Sequence, residues 1–289
     1  MSLGQELRVA PRRQSLARRA AVRACEALAV ACGGRSWFRA RHLRPPGLLV
    51  RRERVSHPSL PEALIGFRVV QLSDLHAGPF VRAGDLRAVV ELANALQPDC
   101  IAITGDLITH RAEDAELVRA DLAQLRAREG VFGVFGNHDY RGRREGEIAQ
   151  RFRADGVRFL RNEGVRIERG DAAVCVVGVE DLEEAREIDL ERARACVRPG
   201  DFEIALCHNP RGALAFVRPC CLAVLCGHSH GTQLDLPWLR RAGPPHPGLR
   251  VHSGSTAILV SRGLGSIGLP LRIGAPTELV VLELERGRA

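Results

Sequence analysis

Five short apolar runs set the pattern of this chain, at residues 67–72, 100–104, 131–135, 202–206 and 222–226. Each is too short for a stable helix, holds β-branched residues, and stops at a polar residue or glycine. Each therefore predicts a buried strand. Between the first three lie stretches of helical period. Leu86, Val89, Val90, Leu92, Ala93 and Leu96 mark one over 83–96, stopped near Pro98; Leu117, Val118, Leu122 and Leu125 mark another over 115–126. Such alternation predicts parallel strands joined by right-handed crossovers. A further helix is expected to follow the polar stretch 141–147. After Asp155-Gly156 the rhythm changes to short strands at 157–160, 164–168 and 172–179, then a charged helix over 182–196. Glu203 near the start of its run suggests that this strand begins only at Ile204. Later strands are expected at 249–252, 256–260 and 278–284, and the Pro-rich stretch 237–247 reads as a loop beside the cleft. The class is α/β, with two packed sheets flanked by helices.

The residues that end the five runs carry the chemistry. In order they are Asp74-Leu75-His76, Gly105-Asp106, Gly136-Asn137-His138-Asp139, Cys207-His208-Asn209 and Gly227-His228-Ser229-His230-Gly231. Five of the ten histidines fall in these stretches. Strand ends of this kind are where open α/β sheets place their sites. Carboxylate, amide oxygen and imidazole together suit Mn²⁺, Fe or Zn²⁺, and no Cys-x-x-Cys pair competes. Asp74 and His76, like His228 and His230, are separated by one residue, which in extended backbone places both side chains on one face. With Asp106, Asn137 and His208 the candidate ligands number seven, too many for one tetrahedral ion. They suit two ions that share a carboxylate, about 3.5–4 Å apart, an arrangement that clamps the attacking and leaving oxygens of a phosphoryl displacement.

Composition changes this picture only at the N-terminus. Residues 1–55 hold thirteen Arg against three Glu, a charge of +10, whereas the other 234 residues carry twenty-nine Arg against thirty-one acidic groups, or −2. The basicity sits in this leader, so charge indicates no nucleic-acid groove across the catalytic domain, taken as 56–289. Within 1–55 an Ala-rich stretch from Ser15 to Cys32 predicts one helix ended by Gly33-Gly34. Two readings stand side by side: an Arg-rich amphipathic helix on an anionic membrane surface, and a partly disordered basic tail. Arg12-Arg13 faintly resembles a twin-arginine signal, but the longest uncharged run, 27–34, has only eight residues, short for a signal core or a span. Nine unpatterned cysteines, several inside apolar runs, read as free thiols of a reducing cytosol. The expected location is cytoplasmic, peripheral on the inner membrane, with export the less favoured alternative.

The ordered set Asp-x-His, Gly-Asp, Gly-Asn-His-Asp, His and Gly-His-x-His resembles the calcineurin-like metallophosphoesterases over about residues 66–285. Gly227–Gln233 and Ser261-Arg262-Gly263-Leu264-Gly265 resemble one bacterial subgroup, the YkuE/YaeI-like phosphodiesterases, although Thr232 replaces the usual second glycine of Gly-Gly-Gln. The resemblance implies a four-layer αββα sandwich and two divalent ions. It gives the first ion Asp74, His76, Asp106 and His230, and the second Asp106, Asn137, His208 and His228. It also implies in-line attack by a hydroxide bridging the ions, with no covalent enzyme intermediate. His138 becomes the acid that protonates the leaving oxygen or steadies charge on phosphorus. Asp139 is expected to hold that imidazole protonated, and Arg262 is a candidate phosphate contact. The arginines of 141–147 could meet substrate anions, although solvated surface is the favoured reading. Glu180-Asp181 follows a strand but receives no ligand role.

The function expected is a phosphoester hydrolase, either a phosphodiesterase or a pyrophosphatase. A membrane-apposed leader favours a lipid-linked or cell-envelope substrate, such as a UDP-sugar lipid diphosphate. A nucleotide diester, a phosphomonoester or a phosphoprotein are alternatives. A non-catalytic binding protein on the same frame is disfavoured, because no candidate ligand is missing.

Overall fold

The computed structural model describes residues 9–10, 15–235, 250–253 and 256–287. Two six-stranded sheets carry the chain. The first runs β1-β12-β2-β3-β4-β5, from β1 (Leu48–His57), β12 (Thr277–Arg286), β2 (Arg68–Leu72), β3 (Cys100–Thr104), β4 (Gly130–Val134) and β5 (Val157–Phe159). The second runs β10-β11-β9-β8-β7-β6, from β10 (Arg250–Ser253), β11 (Thr256–Val260), β9 (Cys221–Cys226), β8 (Phe202–Leu206), β7 (Ala172–Gly178) and β6 (Glu163–Arg169). Strands β2 to β5 are parallel, as are β7, β8, β9 and β11, which is what the alternation of runs and helices requires.

Strand periodicity sorts the side chains into layers. Val69, Ala102 and Val134 of the first sheet meet Ile204, Leu206 and Leu225 of the second in a central core. Their neighbours Val70, Leu72, Ile101 and Ile103 face the other way, onto Val89, Val90 and Ala93 of α3 (Arg87–Ala95) and Val118 and Leu122 of α4 (Glu116–Leu122). Ile148 and Phe152 of α5 (Glu145–Ala154) complete that layer. Val177, Ala205, Val224 and Val260 face outward from the second sheet, covered by Leu182, Leu190 and Phe216. Strands apolar on both faces are the mark of a sheet covered on both sides. The result is the expected αββα sandwich, its outer layer over the second sheet reduced to short turns.

Two local expectations fail. The helix over 182–196 shrinks to α6 (Leu190–Ala193). Asp181 Oδ1 accepts from the Glu183 and Glu184 amides, each at 2.9 Å, and this side-chain turn competes with helical pairing. Strand β8 begins at Phe202, not Ile204, because Glu203 is buried as an ion pair. Its carboxylate takes two hydrogen bonds from Arg194, at 3.0 and 2.9 Å, and another from Arg218. An unpaired buried carboxylate would not survive in a central strand; a paired one does.

The N-terminal segment also departs from a detached leader. Residue 55 lies inside β1, all ten residues of which pair with β12, so the fold does not divide there. Helix α1 (Leu16–Ala31) follows Ser15, whose side chain caps the Arg18 amide, and ends before Gly33, at φ 82°. Helix α2 (Gly34–His42) buries Phe38, and Arg35 and Arg39 pair with the buried Asp85. Residues 15–57 are thus folded onto the first sheet rather than forming a loose tail. Arg12-Arg13 and the loop 237–247 lie outside the described residues.

Candidate metal centre

Parallel strands bring their carboxyl ends to one edge, and all five polar stretches meet there. Asp74 follows β2, Asp106 follows β3, Asn137 and His138 follow β4, His208 follows β8, and His228 and His230 follow β9. Backbone bonds tie the loops together: Asp74 N to Gly105 O (2.9 Å), His76 N to Asp106 O (3.0 Å) and Gly227 N to His208 O (3.0 Å). The one-residue spacing of Asp74/His76 and His228/His230 works, but not through extended backbone. Asp74, His76, Asp106, His228 and His230 all sit in the left-handed region, with φ between 49° and 69°. Each such residue costs about 1–2 kcal/mol of local strain, the kind held at functional sites by the surrounding fold. The approach is close enough that a Cβ on Gly136 would lie 2.3 Å from Asp106 Oδ1, and one on Gly227 would lie 2.0 Å from Ser73 Oγ. Those positions must be glycine.

Two groups of donor atoms emerge. Asp74, His76, Asp106 and His230 each offer an atom within 4.8 Å of the others, and so do Asp106, His208 and His228. In the first group His76 Nε2 faces His230 Nε2 at 2.9 Å; His76 Nε2 lies 3.5 Å from Asp106 Oδ2, and His230 Nε2 lies 3.4 Å from Asp74 Oδ1. In the second, His228 Nδ1 lies 3.1 Å from Asn137 Oδ1 and 3.2 Å from His208 Nε2, which is 3.4 Å from Asp106 Oδ2. Asn137 therefore joins the second group, and Asp106 belongs to both.

The electrostatics suit cations. Burial pushes the Asp74 carboxyl up to about 6, reinforced by the charge of Asp106 and opposed by His208, Ser73 and the His228 amide. Burial works against charge on His208, but Asp106, Asp74 and Asp181 outweigh it and raise its proton affinity well above the ordinary value. Asp106 is held well below the usual carboxylate range: burial opposes this, and His208 and His138 prevail. Burial, with neighbouring positive charge, drives His76 and His230 well below theirs, so both rings are neutral. Converging carboxylate, amide and imidazole donors of this kind fit divalent ions. Orientation is fixed from behind: His208 Nδ1 donates to the Thr104 carbonyl at 2.7 Å, turning Nε2 inward.

His138 and Asp139 behave differently from expectation. The His138 amide donates to Asp106 Oδ1 at 2.8 Å and its ring lies 4.8 Å from that of His76, so it faces the site. Its Nδ1 donates to the Thr109 carbonyl at 2.8 Å. Asp139 does not touch this ring: its oxygens accept from the amides of Gly136 (2.9 Å) and Ile108 (3.2 Å), bracing the loop. Without that partner, burial, aided by Arg141 and opposed by Asp106, pushes the His138 imidazole down to about 4, and it rests neutral. Arg262 is likewise committed elsewhere. Its Nη1 donates to the buried Glu278 at 2.7 Å, so one edge of the guanidinium is taken up by an ion pair. The stretch 261–265 instead props the first group, through Leu264 N to Ser73 O (3.0 Å) and Gly265 N to Asp74 O (2.6 Å).

Arg272 and Glu183 reach the site without any signal in the sequence, and Arg141 reaches it from the 141–147 stretch. Arg272, buried, bonds Gly265 O and the Arg262 and Ala275 carbonyls and places Nη2 3.3 Å from His230 Nδ1. Glu183 Oε1 approaches His228 Nε2 at 3.6 Å. Arg141 Nη2 lies 3.3 Å from His138 Nε2. For Arg141 the less favoured sequence reading, an arginine that could meet substrate anions, is the one this geometry suits.

A family model described as Calcineurin-like phosphoesterase matches residues 67–232, which contain all seven candidate ligands. The chain is 32% identical over 242 residues to the zebrafish (Danio rerio) "Transmembrane protein with metallophosphoesterase domain", covering 78% of this chain and 55% of that protein. It is 30% identical over 254 residues to "Uncharacterized metallophosphoesterase YkuE" of Bacillus subtilis (strain 168), covering 85% and 88%. The chain thus spans about half the length of the vertebrate relatives it matches. Among solved structures it is similar to TT1561 of Thermus thermophilus, with TM-score 0.47 and 16% identity over 69% of this chain and 90% of that one. Two donor groups joined at Asp106, on a sheet edge that the family model covers, agree with the match: the chain belongs to the calcineurin-like phosphoesterase family.

Proposed function

We propose that this chain is a dinuclear metal-dependent phosphoester hydrolase acting on a phosphodiester or diphosphate. The observation that carries this reading is the pair of donor groups sharing one carboxylate, Asp106. Asp74, His76, Asp106 and His230 would hold one ion and Asp106, Asn137, His208 and His228 the other, with Mn²⁺, Zn²⁺ or Fe the ions these donors suit. When bound, such ions supply Lewis-acid activation of a phosphoryl oxygen and acidify a water. The chain's own residues do the rest. Thr104 and Thr109 carbonyls orient His208 and His138, Arg272 backs His230, and His138 Nε2, which meets Arg141 Nη2 at rest, would have to exchange that partner for the leaving oxygen. Because His138 rests neutral with Nδ1–H spent on Thr109, it can donate from Nε2 only after taking up a second proton, which an arriving anion favours.

An anionic membrane surface is the proposed partner. Leu16 and Leu28 of α1 and Leu269, Leu271 and Ile273 are exposed apolar residues. The 266–273 loop packs beside the α1–α2 junction, where Gly268 N donates to Glu26. Arg18, Arg19 and Arg23 are exposed on the same helix. Apolar side chains flanked by arginine suit an anionic bilayer, each basic residue adding about 1 kcal/mol. Among the described residues no helix is long and apolar enough to cross a membrane. A relative named as transmembrane is in keeping with that setting, and a membrane-apposed site would suit a lipid-linked or cell-envelope substrate. A nucleotide diester or phosphomonoester is the runner-up.

Metal-loaded protein is expected to hydrolyse bis-p-nitrophenyl phosphate, with activity lost when candidate ligands are replaced. A metal-loaded protein inert across a phosphoester panel would leave a binding protein instead. Sedimentation with anionic vesicles, weakened by Arg19→Glu, Arg23→Glu and Leu269→Ser together, tests the membrane surface; unchanged binding would end that part.

A further inference from the structure

A chain of polar contacts leads from the N-terminal helix to the metal centre. Glu26 is the buried residue of α1, 2% exposed. Its Oε1 accepts from the Gly268 amide at 3.0 Å and its Oε2 lies 2.6 Å from His110 Nε2. His110 Nδ1 in turn lies 3.2 Å from Arg141 Nη1, which also donates to the Thr109 carbonyl. Arg141 Nη2 reaches His138 Nε2 at 3.3 Å.

The direction of these bonds is fixed by chemistry. Glu26 accepts from His110 Nε2–H, which leaves Nδ1 as an acceptor for the guanidinium. Thr109 O accepts from His138 Nδ1–H, which leaves Nε2 as an acceptor too. Arg141, which can only donate, is therefore held between two imidazole nitrogens and a carbonyl. Nη2 carries two hydrogens, and the bond to His138 uses one. A planar guanidinium so held, beside the ring that faces the site, is a preorganised donor for a phosphoryl oxygen. Arg19 and Arg23 precede Glu26 on α1 by seven and three residues, on the same side of the helix. Burial first, and then their charges, loosen the hold of Arg141 on its proton, with Asp106 opposing; the rim of the site is cationic.

We propose that Arg141 is a substrate-binding residue of the metal centre, donating to a non-bridging phosphoryl oxygen, and that the Glu26–His110 pair positions it. The N-terminal helix is then a wall of the site and not an appendage. This rests on the hydrolase reading above.

The test uses full-length protein loaded with metal, bis-p-nitrophenyl phosphate as substrate, and inorganic phosphate as the binding probe. Arg141→Ala is expected to keep two ions per chain and to lower kcat/KM about 100-fold, the usual loss for one preorganised donor. Phosphate affinity measured by calorimetry should fall with it, and added guanidinium should restore part of both. Arg141→Lys should recover little, since one ammonium cannot serve Thr109, His110 and His138 together. Glu26→Gln should lower kcat/KM about 10-fold, the equivalent of weakening one charged hydrogen bond. In the Arg141→Ala background it should add almost nothing. A Glu26→Gln protein that melts earlier yet keeps wild-type kinetics and phosphate affinity would mean that the pair only pins α1. Arg141→Ala with unchanged phosphate affinity, or with no response to guanidinium, would remove Arg141 from the substrate. A wild-type protein that binds phosphate but hydrolyses nothing would sink the hydrolase reading, and phosphate affinity would still decide for or against Arg141.

Discussion

The two halves of the proposed metal centre share Asp106 and little else. The first half, Asp74, His76 and His230, is buried at the meeting of both sheets. It is braced from behind by Ser73, which donates to Asp74 at 2.5 Å, by the 261–265 segment and by Arg272. The second half has one buried imidazole, His208, while Asn137 is half-buried and the His228 side chain keeps 25% of its surface open. Rigid, dry donors hold an ion in place; open donors leave room for the group that must arrive and leave. The contrast assigns retention to the first half and substrate access to the second.

Replacing the shared residue gives the largest effect. Asp106→Ala should lose both ions and bring hydrolysis to background, as measured by metal analysis beside the rate. Two tightly held ions in that variant would dissolve the link between the halves. Next in size, His230→Ala and His228→Ala should differ in kind. The first should lose its ion and resist rescue. The second should lose about 100-fold in affinity for one ion and recover activity as metal is added, and a chelator should strip wild-type protein in two stages. A single stage, or equal rescue of both variants, would erase the distinction.

His138→Ala should keep both ions and lower the rate about 10²–10⁴-fold, the usual worth of a general acid. The loss should be smaller for p-nitrophenolate, which departs without a proton, than for an alkoxide. Equal losses would assign His138 to holding Arg141 alone.

The smallest effect is one of pH. Protons compete with metal, so affinity falls as pH falls. His208, raised well above the ordinary histidine value, must give up a proton for the second half to bind, so that half should weaken first on acidification. Asp74, at about 6, adds competition in the first half only as pH drops below that value, where affinity should fall about tenfold per pH unit for one proton. Metal content followed from pH 8 to pH 5 should show the second ion leaving before the first; simultaneous release would sink this ordering.

The sequence by itself determined the strand runs, the parallel order, and all seven candidate ligands, because a metal site needs particular atoms and those atoms sit beside apolar runs. It was silent wherever a role depends on what lies across the fold. Asp139 adjoins His138 in the chain yet braces Gly136 and Ile108, since a turn after β4, not an extended strand, sets their directions. Arg262, in the loop after β11, pairs with Glu278 of β12, a partner that spacing could not name. The left-handed backbone at five candidate ligands is imposed by loops bonding to one another across both sheets, so residue spacing alone misread it as extended. Glu203 looked too polar for a strand until Arg194 and Arg218 stood beside it. Glu26 carries no signal of its own in the sequence, and only the packing of α1 against Gly268 and His110 buries and pairs it. Local pattern fixes which atoms a chain can offer, whereas partners far apart in sequence decide which of them are desolvated, paired and aimed.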